Sequence, residues 1–125
     1  MSLLVDTHVL LWWLAGDERL PERMGAALAQ AERDVFVSAA SAWEMAVKSA
    51  QGKLHVPGDL RGELERQGFT ELPVTVEDGL AAGALPLHHG DPFDRMLIAQ
   101  AVRRDLLLLT VDRRFADYDV RLLQP

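Results

Sequence analysis

Short apolar runs alternate with helical stretches along this chain, and the joints between them carry helix caps. Ser2-Leu3-Leu4-Val5 ends at Asp6-Thr7, and Val35-Phe36-Val37 ends at Ser38. Asp, Thr and Ser offer a side-chain oxygen to the free N–H groups of a new helix. Leu106 to Leu109 is a continuous apolar run, the pattern of a strand covered on both faces, and Thr110 to Asp112 leaves it. Strands separated by helices pair in parallel, because each crossover returns the chain to the same end of the sheet. The expected fold is an α/β sandwich around a mainly parallel sheet.

Caps and breakers delimit the helices. The first is expected from His8 to Ala15, stopped by Gly16-Asp17. A second starts at Pro21, which suits a first helical position, and runs to about Glu32. Ala39 to Gln51 follows Ser38 and ends at Gly52, and Asp59 caps Leu60 to about Gln67, closed by Gly68. Thr75-Val76-Glu77-Asp78 has the form of a capping box with Asp in place of Glu. Asp91-Pro92 is a cap with a first-turn proline, and beyond it Phe93, Leu97, Ile98, Ala101 and Val102 share one apolar face. Leu72-Pro73-Val74 reads as a weak strand at an edge or strand end, and Val120-Arg121-Leu122 as a final edge strand. Val9 to Leu14 is apolar around the whole helix, so its surplus belongs either to the core or to a partner patch with exposed tryptophan. The 125 residues suffice for one domain, expected over 1–125.

In open α/β sheets, ligands bind outside the carboxyl ends of the strands. Asp6 ends the first strand, and Glu44 lies early in the helix after the second. Asp94 lies in the first turn of the helix leading to the Leu106–Leu109 strand, and Asp112 follows that strand. If the strands are parallel neighbours, these acids converge on one edge. Crowded carboxylates raise one another's pKa, and a divalent cation removes the penalty. An oxygen-only set in a chain without cysteine suits Mg²⁺ or Mn²⁺ and points to chemistry on phosphate. Each acid also has a plainer reading. Asp6 and Asp91 can be helix caps, Asp94 a first-turn acid on the helix dipole, Glu44 an i,i+4 partner of Lys48, and Asp112 a turn residue. His8 either borders the site or packs. His88-His89-Gly90-Asp91 has the look of a metal motif, but only His55 remains to complete it, fewer histidines than a zinc hydrolase needs.

The formal net charge of -6 argues against a broad basic footprint for nucleic acid or anionic membrane. A metal-binding acid set changes that reading, because two Mg²⁺ ions would offset about four negative charges. No apolar run approaches the ~20 residues of a membrane span. No basic residue precedes Arg19, whereas a signal peptide begins with positive charge. The expected location is the cytoplasm, with no membrane partner.

Three stretches carry a resemblance. LLVDTHVLLWWL at the start, VSAASAWEMAVKSAQGKL in the middle, and DPFDRMLIAQA then LLLLTVDRRF near the end span almost the whole chain. Together they resemble PIN-domain ribonucleases, and most closely the VapC-like toxins of bacterial toxin–antitoxin pairs. The resemblance implies a PIN-like three-layer α/β/α sandwich and endonucleolytic cleavage of RNA with Mg²⁺ or Mn²⁺. It implies direct metal ligation by Asp6, Asp94 and Asp112. Glu44 would act through water or help deprotonate the nucleophile. Thr110 is implied to hydrogen-bond an acid or a phosphate oxygen, with Asp91 as a supporting group and Thr7 flanking the site. Arg95 is placed either to contact phosphate or to form a structural salt bridge. A cognate antitoxin that blocks the site is implied as partner, as is a homodimer or a larger complex with that antitoxin.

Rival readings fit less of the chain. A phospho-receiver domain wants adjacent acids after the first strand and a lysine after a late one. Here Thr7 follows Asp6, and the lysines are Lys48 and Lys53. A haloacid-dehalogenase-type phosphatase wants Asp-x-Asp, where this chain has Asp6-Thr7-His8. A PIN-like module that only binds a partner would not need the full acid set. No base-reading motif identifies the RNA.

Overall fold

A computed structural model describes residues 1–30 and 32–125. Its strands are β1 (Leu3–Val5), β2 (Val35–Ser38), β3 (Thr70–Leu72), β4 (Leu107–Leu109) and β5 (Leu122–Leu123). Its helices are α1 (Thr7–Ala15), α2 (Glu22–Ala29), α3 (Ala39–Ala50), α4 (Leu60–Gln67), α5 (Val76–Ala84) and α6 (Pro92–Arg104). A short 3₁₀ turn, Arg113–Asp117, follows β4. The sheet order is β3-β2-β1-β4-β5, and every pairing is parallel, as expected. Leu3 is in register with both Val35 and Leu107, which puts β1 at the centre. From β1 the chain crosses to one side for β2 and β3, then to the other for β4 and β5. The β1/β4 boundary is therefore the switch point, where open α/β sheets leave a crevice.

Strand alternation sorts the core into two layers. Leu3, Val5, Val35, Val37 and Leu109 pack with Val9 and Leu10 of α1, Met24 and Leu28 of α2 and Met45 of α3. Leu4 and Leu108 pack on the opposite side with Leu97, Ile98 and Ala101 of α6, and with Phe115 and Tyr118. The result is the expected three-layer α/β/α sandwich. Leu4 and Leu108 are wholly buried, so truncating either to Ala should cost about 2–5 kcal/mol.

Several boundaries differ from the sequence reading. β3 lies at Thr70–Leu72, not Leu72–Val74. Pro73 has no N–H for the ladder, so the strand ends before it. β5 begins at Leu122, two residues later than Val120. α2 ends at Ala29, short of Glu32, and Pro21 is its N-cap residue; Ala31, inside the predicted stretch, lies outside the described residues. The apolar α1 resolves in favour of the core. Val9 and Leu10 are buried, and Leu11, Trp13 and Leu14 pack partly buried on the first core layer. Trp12 is half-buried beneath the guanidinium of Arg19. The exposed apolar surface lies elsewhere, at Trp43 on α3 and Val76 and Leu80 on α5.

Candidate active site

The four predicted acids lie at the carboxyl edge around the switch point, but among the described residues only Asp94 and Asp112, with His89, come close enough to share one ion, and Asp6 and Glu44 stand outside that group. Asp6 leaves β1 and caps α1, its Oδ1 accepting from the Val9 N–H at 2.8 Å. It caps the helix while buried rather than solvated. Burial is the main force pushing its carboxyl up to about 6. Hydrogen bonds from Thr110 and the Val9 N–H pull it down, and the charges of Glu44 and Asp112 push it further up. Thr110, buried just after β4, accepts from the Asp112 N–H through its Oγ1 at 3.1 Å.

Glu44 sits on the second turn of α3 and is buried. Thr7 Oγ1 donates to its Oε1 at 2.5 Å, and Lys48 Nζ donates to its Oε2 at 2.5 Å. The i,i+4 pair with Lys48 therefore exists, but it faces the cluster rather than bulk water. The hydrogen bond to Glu44 raises the Lys48 ammonium above its ordinary value, and the charges of Asp91 and Asp94 act in the same direction.

Asp94 comes from the first turn of α6. Asp91 caps that helix, its Oδ1 accepting from the Asp94 N–H at 3.0 Å. Desolvation first, and then the Asp91 charge, push the Asp94 carboxyl up to about 6. Asp112 follows β4, caps the 3₁₀ turn and pairs with Arg114 at 2.8 Å. The Arg114 hydrogen bond holds it below the ordinary carboxylate range.

His89 is the residue the sequence reading set aside. Its Nε2 lies 2.8 Å from Asp94 Oδ2 and 3.6 Å from Asp112 Oδ2. Among the described residues, one ligand atom each from His89, Asp94 and Asp112 falls within a 4.8 Å span. A signal was present in the sequence: His89 stands two residues before the Asp91 cap, where the chain must double back onto the first turn of α6. His8 does not join the cluster; it is exposed, with its ring edge on Trp12.

Arg95 does not present its guanidinium to the acids. It is buried and donates to the carbonyls of Ala82, Leu85, Pro86 and His89 at 2.9 to 3.2 Å. Neither expected role, phosphate contact or salt bridge, describes these bonds. Arg95 instead clamps the segment that carries His89.

Burial first, and neighbouring charges second, raise the Asp6 and Asp94 carboxyls to about 6, so their charged forms are costly where they stand. The donors are hard oxygens with one imidazole nearby, which fits Mg²⁺ or Mn²⁺ better than zinc.

The PIN domain family profile matches residues 3–121. The chain belongs to the PIN domain family. It is 29% identical over 120 residues to Ribonuclease VapC22 of Mycobacterium tuberculosis, covering 94% of this chain and 92% of that protein. Solved structures share the fold at lower identity. The Rickettsia felis VapBC2 complex bound to a promoter DNA fragment aligns with TM-score 0.72 and 12% identity, over 100% of this chain and 99% of that one. FitAcB of Neisseria gonorrhoeae aligns with TM-score 0.69 and 22% identity, over 98% and 96%. DNA-bound VapBC of Salmonella typhimurium aligns with TM-score 0.71 and 16% identity, over 99% and 98%. Among the described residues no helix is long and apolar enough to cross a membrane.

Proposed function

We propose that this PIN domain is a Mg²⁺- or Mn²⁺-dependent endoribonuclease, the cytoplasmic toxin of a toxin–antitoxin pair. The observation that carries the reading is the close approach of Asp94 and Asp112 beside the β1/β4 switch point, with buried Asp6 and Glu44 at the same sheet edge. Asp6, Asp94 and Asp112 would hold the cation. A bound divalent ion supplies Lewis-acid polarisation of the scissile phosphate and lowers the pKa of water. Glu44, buried and steered by Thr7 and Lys48, is poised to accept a proton from the attacking water. Thr110 holds the Asp112 backbone through its Oγ1, which supports preorganisation of that end of the site.

The antitoxin reading has its own support. A groove of Trp43, Val74, Phe93 and Met96 lies one residue along each helix from Glu44 and Asp94. An antitoxin segment with apolar anchors and a basic residue would fill that groove and reach the acids. A homodimer, alone or within that complex, belongs to the same reading.

Purified protein should cut RNA in Mg²⁺ or Mn²⁺ and leave it intact in EDTA. Asp6→Asn and Asp94→Asn should each abolish cleavage with the far-UV dichroism unchanged. Full activity in both variants would sink the site assignment. Labelling of an aspartate by acetyl phosphate, with no RNA cut, would favour the receiver reading instead.

A further inference from the structure

We propose that His89 is a positioning residue of the acid cluster, locking the Asp94 carboxylate toward Asp112 in the arrangement that receives the cation. This rests on the metal-dependent reading above and adds to it a residue outside the predicted ligand set. Asp94 is on α6, and Asp112 follows β4. No side-chain bond joins those two carboxylates directly, and they repel each other. His89 Nε2 faces both, 2.8 Å from Asp94 and 3.6 Å from Asp112.

The ring's hydrogen bonds decide what that nitrogen can do. The Asp91 N–H donates to His89 Nδ1 at 3.4 Å. Nδ1 is then an acceptor and the proton sits on Nε2, where it is donated to Asp94. A nitrogen that carries a proton has no lone pair for a metal. His89 therefore orients a ligand rather than being one, although its ring lies within ligand distance of the same acids.

The imidazole is held from every side. Its residue is 4% exposed. The ring packs edge-on against Phe115 at 6.0 Å. Its backbone N–H donates to the Tyr118 hydroxyl at 2.9 Å, and that hydroxyl donates to the Pro86 carbonyl at 2.6 Å. Arg95 donates to the His89 carbonyl at 3.2 Å and to the Pro86 carbonyl at 3.0 Å. Arg95 and Tyr118 thus fix the segment, the segment fixes the ring, and the ring fixes Asp94. A surface histidine that met the acids by chance would not have its backbone and both ring nitrogens engaged.

The test is a Mn²⁺ titration of the full chain, read by the electron paramagnetic resonance of the free ion. Wild type, His89→Ala and His89→Gln are compared, with thermal melts of each in EDTA. Glutamine places an N–H donor close to the Nε2 position and an acceptor toward Asp91, so it keeps the bond and loses the ring. His89→Ala should weaken Mn²⁺ binding roughly 10- to 100-fold, the usual cost of losing a partner that orients a ligand. His89→Gln should recover most of that loss. Should His89→Ala fail to fold, His89→Gln with near-wild-type affinity still supports the proposal. Unchanged affinity in a folded His89→Ala overturns it. Equal loss in the Ala and Gln variants also overturns it, because the ring rather than the hydrogen bond would then matter. Absence of Mn²⁺ binding by the wild type overturns both this inference and the metal-dependent reading. Binding without RNA cleavage overturns only the ribonuclease reading.

Discussion

Asp6 is a helix cap placed where a charge is costly. Its carboxyl stands at about 6 in the fold against 3.8 in an unfolded chain. Between those values the folded protein holds a proton that the unfolded chain has lost. Stability without metal should therefore fall as pH rises from about 4 to about 6. Asparagine caps a helix as well as aspartate does and carries no charge. Asp6→Asn should then stabilise the metal-free protein by about 2–3 kcal/mol at pH 7 and by little at pH 4, while abolishing cleavage. Urea denaturation in EDTA at the two pH values checks this. Equal stability at pH 7 would mean the burial penalty has been relieved by some other contact. Asp112 behaves oppositely: Arg114 holds its carboxyl low, so its contribution is present above the ordinary carboxylate pKa and lost as pH falls.

At the scale of elements, α5 and α6 act as one unit. Asp78 completes the capping box of α5 with Thr75, the Thr75 N–H donating to Asp78 Oδ2 at 3.0 Å and the Asp78 N–H to Thr75 Oγ1 at 3.1 Å. The same carboxylate, fully buried, receives Arg103, Arg104 and Gln100 from α6. Burial by itself would raise its pKa, but these donors outweigh it and hold the carboxyl well below its usual range. Asp78→Ala removes a cap and unpairs two arginines that are about one-third exposed, so the loss should be about 3 kcal/mol, toward the lower end for a broken buried pair. A shift in urea midpoint worth less than 1 kcal/mol would show that the arginines find other partners. The consequence reaches the site, because Arg95 on α6 binds the carbonyl of Ala82 near the end of α5. β3 and β5 sit at the two edges of the sheet.

For the molecule as a whole, the metal-dependent reading proposed above would make folding and cation binding one linked equilibrium. Mn²⁺ at about 100 times its dissociation constant should raise stability by about 2.7 kcal/mol at pH 7.5. The gain should shrink below pH 6, where Asp6 and Asp94 take up protons that compete with the ion. Melting curves with and without Mn²⁺ at pH 5 and 7.5 check this. A gain of the same size at both values would place the ion away from those two carboxyls. On the same reading, part of the net charge of -6 would be a ligand set rather than a solubilising surface, which would make an acidic chain compatible with RNA as substrate.

Much of this architecture was legible in the residues because it depends on local rules. Apolar runs ending on Asp6 and Ser38 marked strand-to-helix joints, since a cap works within three residues of itself. Parallel pairing and the placing of Asp6, Glu44, Asp94 and Asp112 toward one sheet edge followed from the alternation, because every crossover brings the next strand's carboxyl end to the same edge, but which carboxylates come within reach of one another did not. Contacts between distant segments were not legible. Nothing near Arg95 in the sequence announces that its guanidinium is spent on the carbonyls of residues 82–89, since backbone acceptors leave no sequence pattern. Nothing near His89 announces Tyr118, 29 positions away, or Asp112 across the switch point. The order of strands and caps was a property of the chain. The aim of each carboxylate, and the histidine that holds one of them, was decided only when packing brought α6, β4 and the segment before α6 together.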